Sequence, residues 1–82
     1  MRHHEFTNKY AIVTGGGSGI GEATVKALLA GGARVLITDI DEKNGQRVSR
    51  ESGDNAEFFK ADAANPEHAE AAVARCVELF GG

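Results

Sequence analysis

The chain has 82 residues, one cysteine and a formal net charge of −3, which leaves room for one small domain and gives no basic patch to select for nucleic acid or an anionic membrane. Its 41% hydrophobic and 26% charged residues are ordinary for a globular protein. A chain this short buries only a little over ~60% of its unfolded surface, so folding alone is marginal.

Met1–Lys9 is polar, has no apolar core of a signal peptide, and carries His3 and His4, read as solvated. No apolar run approaches the ~18 residues of a membrane span. Cys76 cannot form an internal disulfide and reads as a small buried residue, which points to a reducing compartment, the cytoplasm.

Tyr10–Thr14 is a short apolar, β-rich run that reads as a buried strand. A glycine-rich turn, Gly15–Gly21, follows. Ile20–Ala30 has helical spacing, which places Ile20, Ala23, Ala27 and Leu28 on one face, and Gly31 and Gly32 stop it. Arg34–Asp39 reads as a second buried strand. Asp41–Glu51 is a polar helical stretch anchored by Val48 and closed by Gly53. Ala56–Ala61 is a third strand. The last helix starts with Asn65 as cap and Pro66 in the first turn, where Glu67 suits the positive helix end. Its apolar stripe is Ala69, Ala72, Val73, Cys76, Val77 and Phe80, and Gly81 and Gly82 end it. The order β-α-β-α-β-α predicts an α/β fold of three layers around a parallel sheet, a single Rossmann-type half-domain over residues 1–82.

The turn between the first strand and the first helix is the place to look for chemistry. A helix start carries unpaired N–H groups and a positive partial charge, so it attracts anions, and glycine lets a phosphate approach the backbone. A P-loop is excluded. Gly16 and Gly21 have its spacing, but Glu22 and Ala23 stand where Lys-Ser/Thr belongs, and a carboxylate there repels phosphate. The common Gly-x-Gly-x-x-Gly fingerprint fails as well, because Ile20 takes its third glycine position. Thr-Gly-x-x-x-Gly-x-Gly fits, at Thr14, Gly15, Gly19 and Gly21.

Asp39 ends the second strand, 18 positions after Gly21, close to the ~20 expected for an acid that accepts hydrogen bonds from a ribose. The same carboxylate repels a 2′-phosphate. Two like charges ~4 Å apart at an effective dielectric of ~20 cost about 4 kcal/mol, which is roughly a thousandfold in affinity. NAD is therefore expected over NADP.

With Tyr10-Ala-Ile-Val-Thr-Gly-Gly-Gly-Ser-Gly-Ile-Gly, Asp39 and Asp62 in order, the chain resembles the short-chain dehydrogenase/reductase family from about Asn8 to Gly82. The resemblance implies a dinucleotide site around Gly15, Gly17, Ser18, Gly19, Ile20 and Gly21. It implies that Asp62 accepts from the adenine amino group and that the Ala63 N–H meets the ring, while Ile40 packs on the adenine face. Phosphate-preferring relatives often carry a basic residue at the Ser18 or Ile40 position, which agrees with NAD. Many relatives have a larger aliphatic residue at the Ala63 position.

The family's reaction, hydride transfer between nicotinamide and a carbonyl/alcohol pair, needs Tyr-x-x-x-Lys with an upstream serine. Here the only tyrosine is Tyr10, with Thr14 four positions on, so no catalytic residue is assigned. The Asn-Asn-Ala-Gly segment of the fourth strand is also absent. The chain is expected to be the cofactor-holding part of a longer enzyme, inactive alone and meeting small-molecule substrate only as part of that parent. Without a fourth strand, Tyr10–Thr14 is an apolar edge, so self-association is expected. Two other readings stay open: a non-catalytic NAD-binding or assembly module, and a methyltransferase binding S-adenosylmethionine. The second is disfavoured because Ile12-Val13-Thr14 lacks an acid near the first strand's end.

Overall fold

The structure, a computed structural model, describes residues 6–15, 17 and 19–81. The expected leader residues His3 and His4, together with Gly16, Ser18 and Gly82, lie outside them. The chain alternates strand and helix: β1 (Tyr10–Thr14), α1 (Gly19–Ala30), β2 (Arg34–Asp39), α2 (Glu42–Ser52), β3 (Ala56–Lys60) and α3 (Pro66–Phe80). The sheet order is β1-β2-β3, and both pairings are parallel.

β2 is central and apolar on both faces, as a strand covered on both sides must be. Val35 and Ile37 point to one side and pack with Val25 of α1 and Val48 of α2. Leu36 points to the other and packs with Ala72, Cys76 and Phe80 of α3. The result is the expected three-layer arrangement. Val48 is fully buried, as its place in an otherwise polar helix requires.

Two stripes differ from expectation. In α1 the inward residues are Val25, fully buried, with Leu28 and Leu29 half-buried, whereas Ala23 and Ala27 are exposed and Ile20 is 88% exposed. The helix starts one residue early, at Gly19, and the half-buried Gly21 begins the inward row 21, 25, 28, 29. In α3 the apolar stripe is wider than its contact with the sheet. Ala72, Cys76 and Phe80 are buried, and Ala69, Val73 and Val77 are exposed beside β1. The Tyr10 ring stacks on Phe80 at 5.9 Å between centroids.

Caps follow the chemistry of their residues. Asn65 accepts from the Glu67 N–H at 2.9 Å, and Gly81 ends α3 in the left-handed conformation. Asp41 proves to be the cap of α2, accepting from the Asn44 N–H at 3.1 Å, and does not belong to the helix. The polar leader is docked where it is described: Phe6 packs against the core, and its N–H donates to the Gly31 carbonyl at 2.7 Å.

Candidate functional site

The parallel register brings the carboxyl ends of all three strands to one edge. Thr14 lies beside Thr38, and Asp39 lies beside Lys60, with Asp62 two residues further on. In open parallel sheets, ligands bind in the crevice outside these ends. A cleft of about 190 Å³ occupies this edge. Thr14 and Gly15 form one wall, Asp62 and Ala63 the other, and Asp39 and Ile40 lie between them.

The glycine loop leaves β1 through Gly15, whose N–H donates to the Thr38 carbonyl at 2.7 Å. Gly15 has φ +73° with no neighbour within 4 Å of a would-be Cβ, so its backbone is open to close approach. Gly17 is held for the opposite reason. A Cβ there would lie 2.7 Å from an Asp39 carboxylate oxygen and 2.9 Å from the Gly45 nitrogen. The loop thus rides directly on the start of α2.

Asp39 ties this arrangement together. One oxygen (Oδ2) accepts from the Gly17 N–H at 3.0 Å, and the other (Oδ1) accepts from the Asp41 N–H at 2.9 Å. A carboxylate has about four acceptor positions, so capacity remains for further donors. Ile40, 66% exposed, projects next to it. Asp62 also works within its own turn: its Oδ1 accepts from the Ala64 N–H at 2.9 Å. Of the residues singled out in the sequence, Gly15, Asp39, Ile40, Asp62 and Ala63 line one cleft and Gly17 is bonded to it. Ile20 faces solvent at the start of α1, and Ser18 lies outside the described residues.

A second support of the loop, without a signal in the sequence, comes from α2. Arg47 of α2 pairs with Glu22 of α1 at 3.0 Å, with Glu51 at 3.1 Å, and donates to the Gly17 carbonyl at 3.4 Å. Glu22 also pairs with Lys26 at 2.8 Å. Arg47 first, and then Lys26, hold the Glu22 carboxyl down to about 2, against an ordinary value of 4.5. A depressed carboxylate pKa contributes stability above the unfolded value and loses it as pH falls through the folded one. Glu22→Gln is therefore expected to shrink the loss of stability between about pH 4.5 and 2, measured by denaturant unfolding at both ends of that range. An unchanged loss would contradict the role given to this pair.

Gly45 was missed as well. It sits inside a helix, where glycine costs about 1 kcal/mol relative to alanine, and that cost was the available signal. The Phe58 ring of β3 occupies the space a side chain would need. Burial pushes the Cys76 thiol up, consistent with a packing role. Among the described residues no group of three or more His, Cys, Asp or Glu side chains could hold a metal ion, and no helix is long and apolar enough to cross a membrane.

Comparison with known proteins decides the family. The sequence profile of the short chain dehydrogenase family matches residues 9–82. The chain belongs to this family. Over 78 residues it is 46% identical to a 2,5-dichloro-2,5-cyclohexadiene-1,4-diol dehydrogenase of Sphingobium indicum, covering 95% of this chain and 31% of that one. Over 81 residues it is 41% identical to a cyclohexanol dehydrogenase of an Acinetobacter species, covering 95% and 32%. Among solved short-chain dehydrogenase folds, a 3-ketoacyl-(acyl-carrier-protein) reductase from Brucella melitensis complexed with NADH superposes with TM-score 0.89 at 39% identity, covering 93% of this chain and 31% of that one. A family member from Burkholderia phymatum in complex with NAD superposes with TM-score 0.87 at 30% identity, covering 94% and 28%. The chain therefore spans about a third of the length of these short-chain dehydrogenase relatives.

Proposed function

We propose that this chain is a single cofactor-holding domain, residues 1–82, of an oxidoreductase that moves a hydride between a nicotinamide and a carbonyl/alcohol pair. The observation that carries the reading is Asp39. Its carboxylate pins the glycine loop through Gly17 and lines the cleft at the strand ends. The residues fit a dinucleotide on structural grounds: Gly15 leaves backbone open to a phosphate, α1 begins beside it, and the Asp39 carboxylate lines the same crevice. The solved relatives complexed with NADH and NAD support the same cofactor class.

In this reading the loop residues Gly15, Gly17, Ser18, Gly19, Ile20 and Gly21 surround the pyrophosphate. Asp39 accepts from the ribose hydroxyls, Ile40 packs on adenine, and Asp62 and Ala63 meet its edge. The bound cofactor supplies the hydride acceptor or donor. This chain's residues bind and orient it and supply no proton-transfer group, so the chain alone is expected to be inactive. NAD is preferred because Asp39 repels a 2′-phosphate. Titration of the chain with NAD, NADP and S-adenosylmethionine tests this. NAD is expected to bind, NADP roughly a thousandfold more weakly, and S-adenosylmethionine not at all. Preference for either of the others would overturn the reading.

Two further expectations belong here. Tyr10 and Ile12 are partly exposed on β1, which has β2 as its only neighbour among the described strands, and this supports self-association of the chain. Sedimentation should show mass rising with concentration; a constant monomer mass would contradict it. The single buried, unpaired Cys76 fits a reducing compartment, so we place the protein in the cytoplasm. A reporter fusion found outside the cytoplasm would refute that.

A further inference from the structure

The turn after β3 separates two clefts. Asp62 and Ala63 line the 190 Å³ cleft with Asp39 and Ile40 on one side. On the other side they line a cleft of about 180 Å³ with Thr14, Thr38, His68 and Val73. His68 stands in the first turn of α3, and its Nδ1 accepts from the Asp62 backbone N–H at 2.9 Å. Two further hydrogen bonds lie within the turn itself. The Asp62 carbonyl accepts from the Asn65 N–H at 2.9 Å, and Asp62 Oδ1 accepts from the Ala64 N–H at 2.9 Å. His68 is thus the side chain that reaches back from the helix and fixes the amide of Asp62, a residue that lines both clefts.

We propose that His68 is a positioning residue for cofactor binding: its Nδ1, accepting the Asp62 N–H from behind the turn, sets the direction in which Asp62 and the Ala63 N–H meet the adenine. This rests on the cofactor reading above. A backbone N–H can only donate, so Nδ1 carries no proton and the neutral ring holds its proton on Nε2. His68 itself lines the second cleft and not the one between Asp39 and Asp62. Because it is exposed, its replacement leaves the core intact.

The experiment uses the whole 82-residue chain, isotope-labelled, with NAD as probe. Long-range proton–nitrogen spectra are expected to show His68 with its proton on Nε2; a proton on Nδ1 would overturn the assignment. His68→Ala is expected to weaken NAD binding about five- to tenfold, the size of one lost neutral hydrogen bond. His68→Asn places an amide oxygen near the Nδ1 position and is expected to restore affinity to within about twofold, a rescue that loss of helix packing alone would not give. Equal affinity in the wild-type chain and His68→Ala would overturn this role alone, as would a failure of asparagine to rescue. A wild-type chain that binds no NAD would overturn the cofactor reading and this assignment with it.

Discussion

Replacing Asp39 by alanine is expected to lower affinity for NAD about a hundredfold and to erase its preference over NADP. Two ribose hydroxyls lose a charged acceptor, and hydrogen bonds to charged groups are worth about 1.5–3 kcal/mol each, net of the exchange with water. A net loss near ~3 kcal/mol is about two decades in affinity. The variant also frees the Gly17 N–H, bonded to Asp39 at 3.0 Å, and so loosens the glycine loop. For NADP the balance reverses, because the ~4 kcal/mol of repulsion against a 2′-phosphate disappears. Asp39→Asn separates the two effects. It keeps an acceptor for Gly17 and removes the charge, so NADP should gain while the loop keeps its place. Calorimetric titration of both variants with both cofactors gives the answer. Unchanged discrimination in Asp39→Asn would mean that charge is not the determinant.

The second large effect is expected at Gly17. An alanine there must place its Cβ 2.7 Å from the Asp39 carboxylate, 2.9 Å from the Gly45 nitrogen and 3.2 Å from the Asn44 carbonyl carbon. Two of these neighbours are backbone at the start of α2, so no rotamer change relieves the overlap. Overpacking of this kind costs about 1–3 kcal/mol. For a chain of this size each kcal/mol is about 4–8 °C in Tm, so a drop of about 5 °C or more is expected. NAD affinity should fall about tenfold as well, since the displaced groups are the acid and the loop. Thermal unfolding and NAD titration check both. A variant as stable as the parent would show that the loop does not ride on α2 as described.

Strands and helices were legible where local chemistry is strong. Val35-Leu36-Ile37 in the middle of β2 is an unbroken apolar run because both faces are covered, and Asn65-Pro66 announces α3 through a cap and a fixed φ. Asp39 was legible through its distance from the glycine loop. The phase of α1 was not. Its alanines fit either face, so Ile20 carried undue weight, although it starts the helix in solvent and Val25 takes the core. The supports of the site were hidden for another reason. Arg47 and Glu22 are 25 residues apart, and Asp39 and Gly17 are 22 apart, so only the folded arrangement brings them together. His68 offered no pattern at all, since its partner is a backbone N–H.

On the proposed function, the cleft at the strand ends binds NAD through the glycine loop, Asp39 and the Asp62 turn. Amide chemical-shift mapping of the labelled chain during NAD titration tests it most directly. The amides of Gly15, Gly17, Gly21, Ile40, Asp62 and Ala63 are expected to move together along one saturating curve, while those of Asn55 and Val77–Gly81, at the opposite end of the sheet and helix, stay in place. Shifts confined to that opposite end, or none at saturating NAD, would contradict the account.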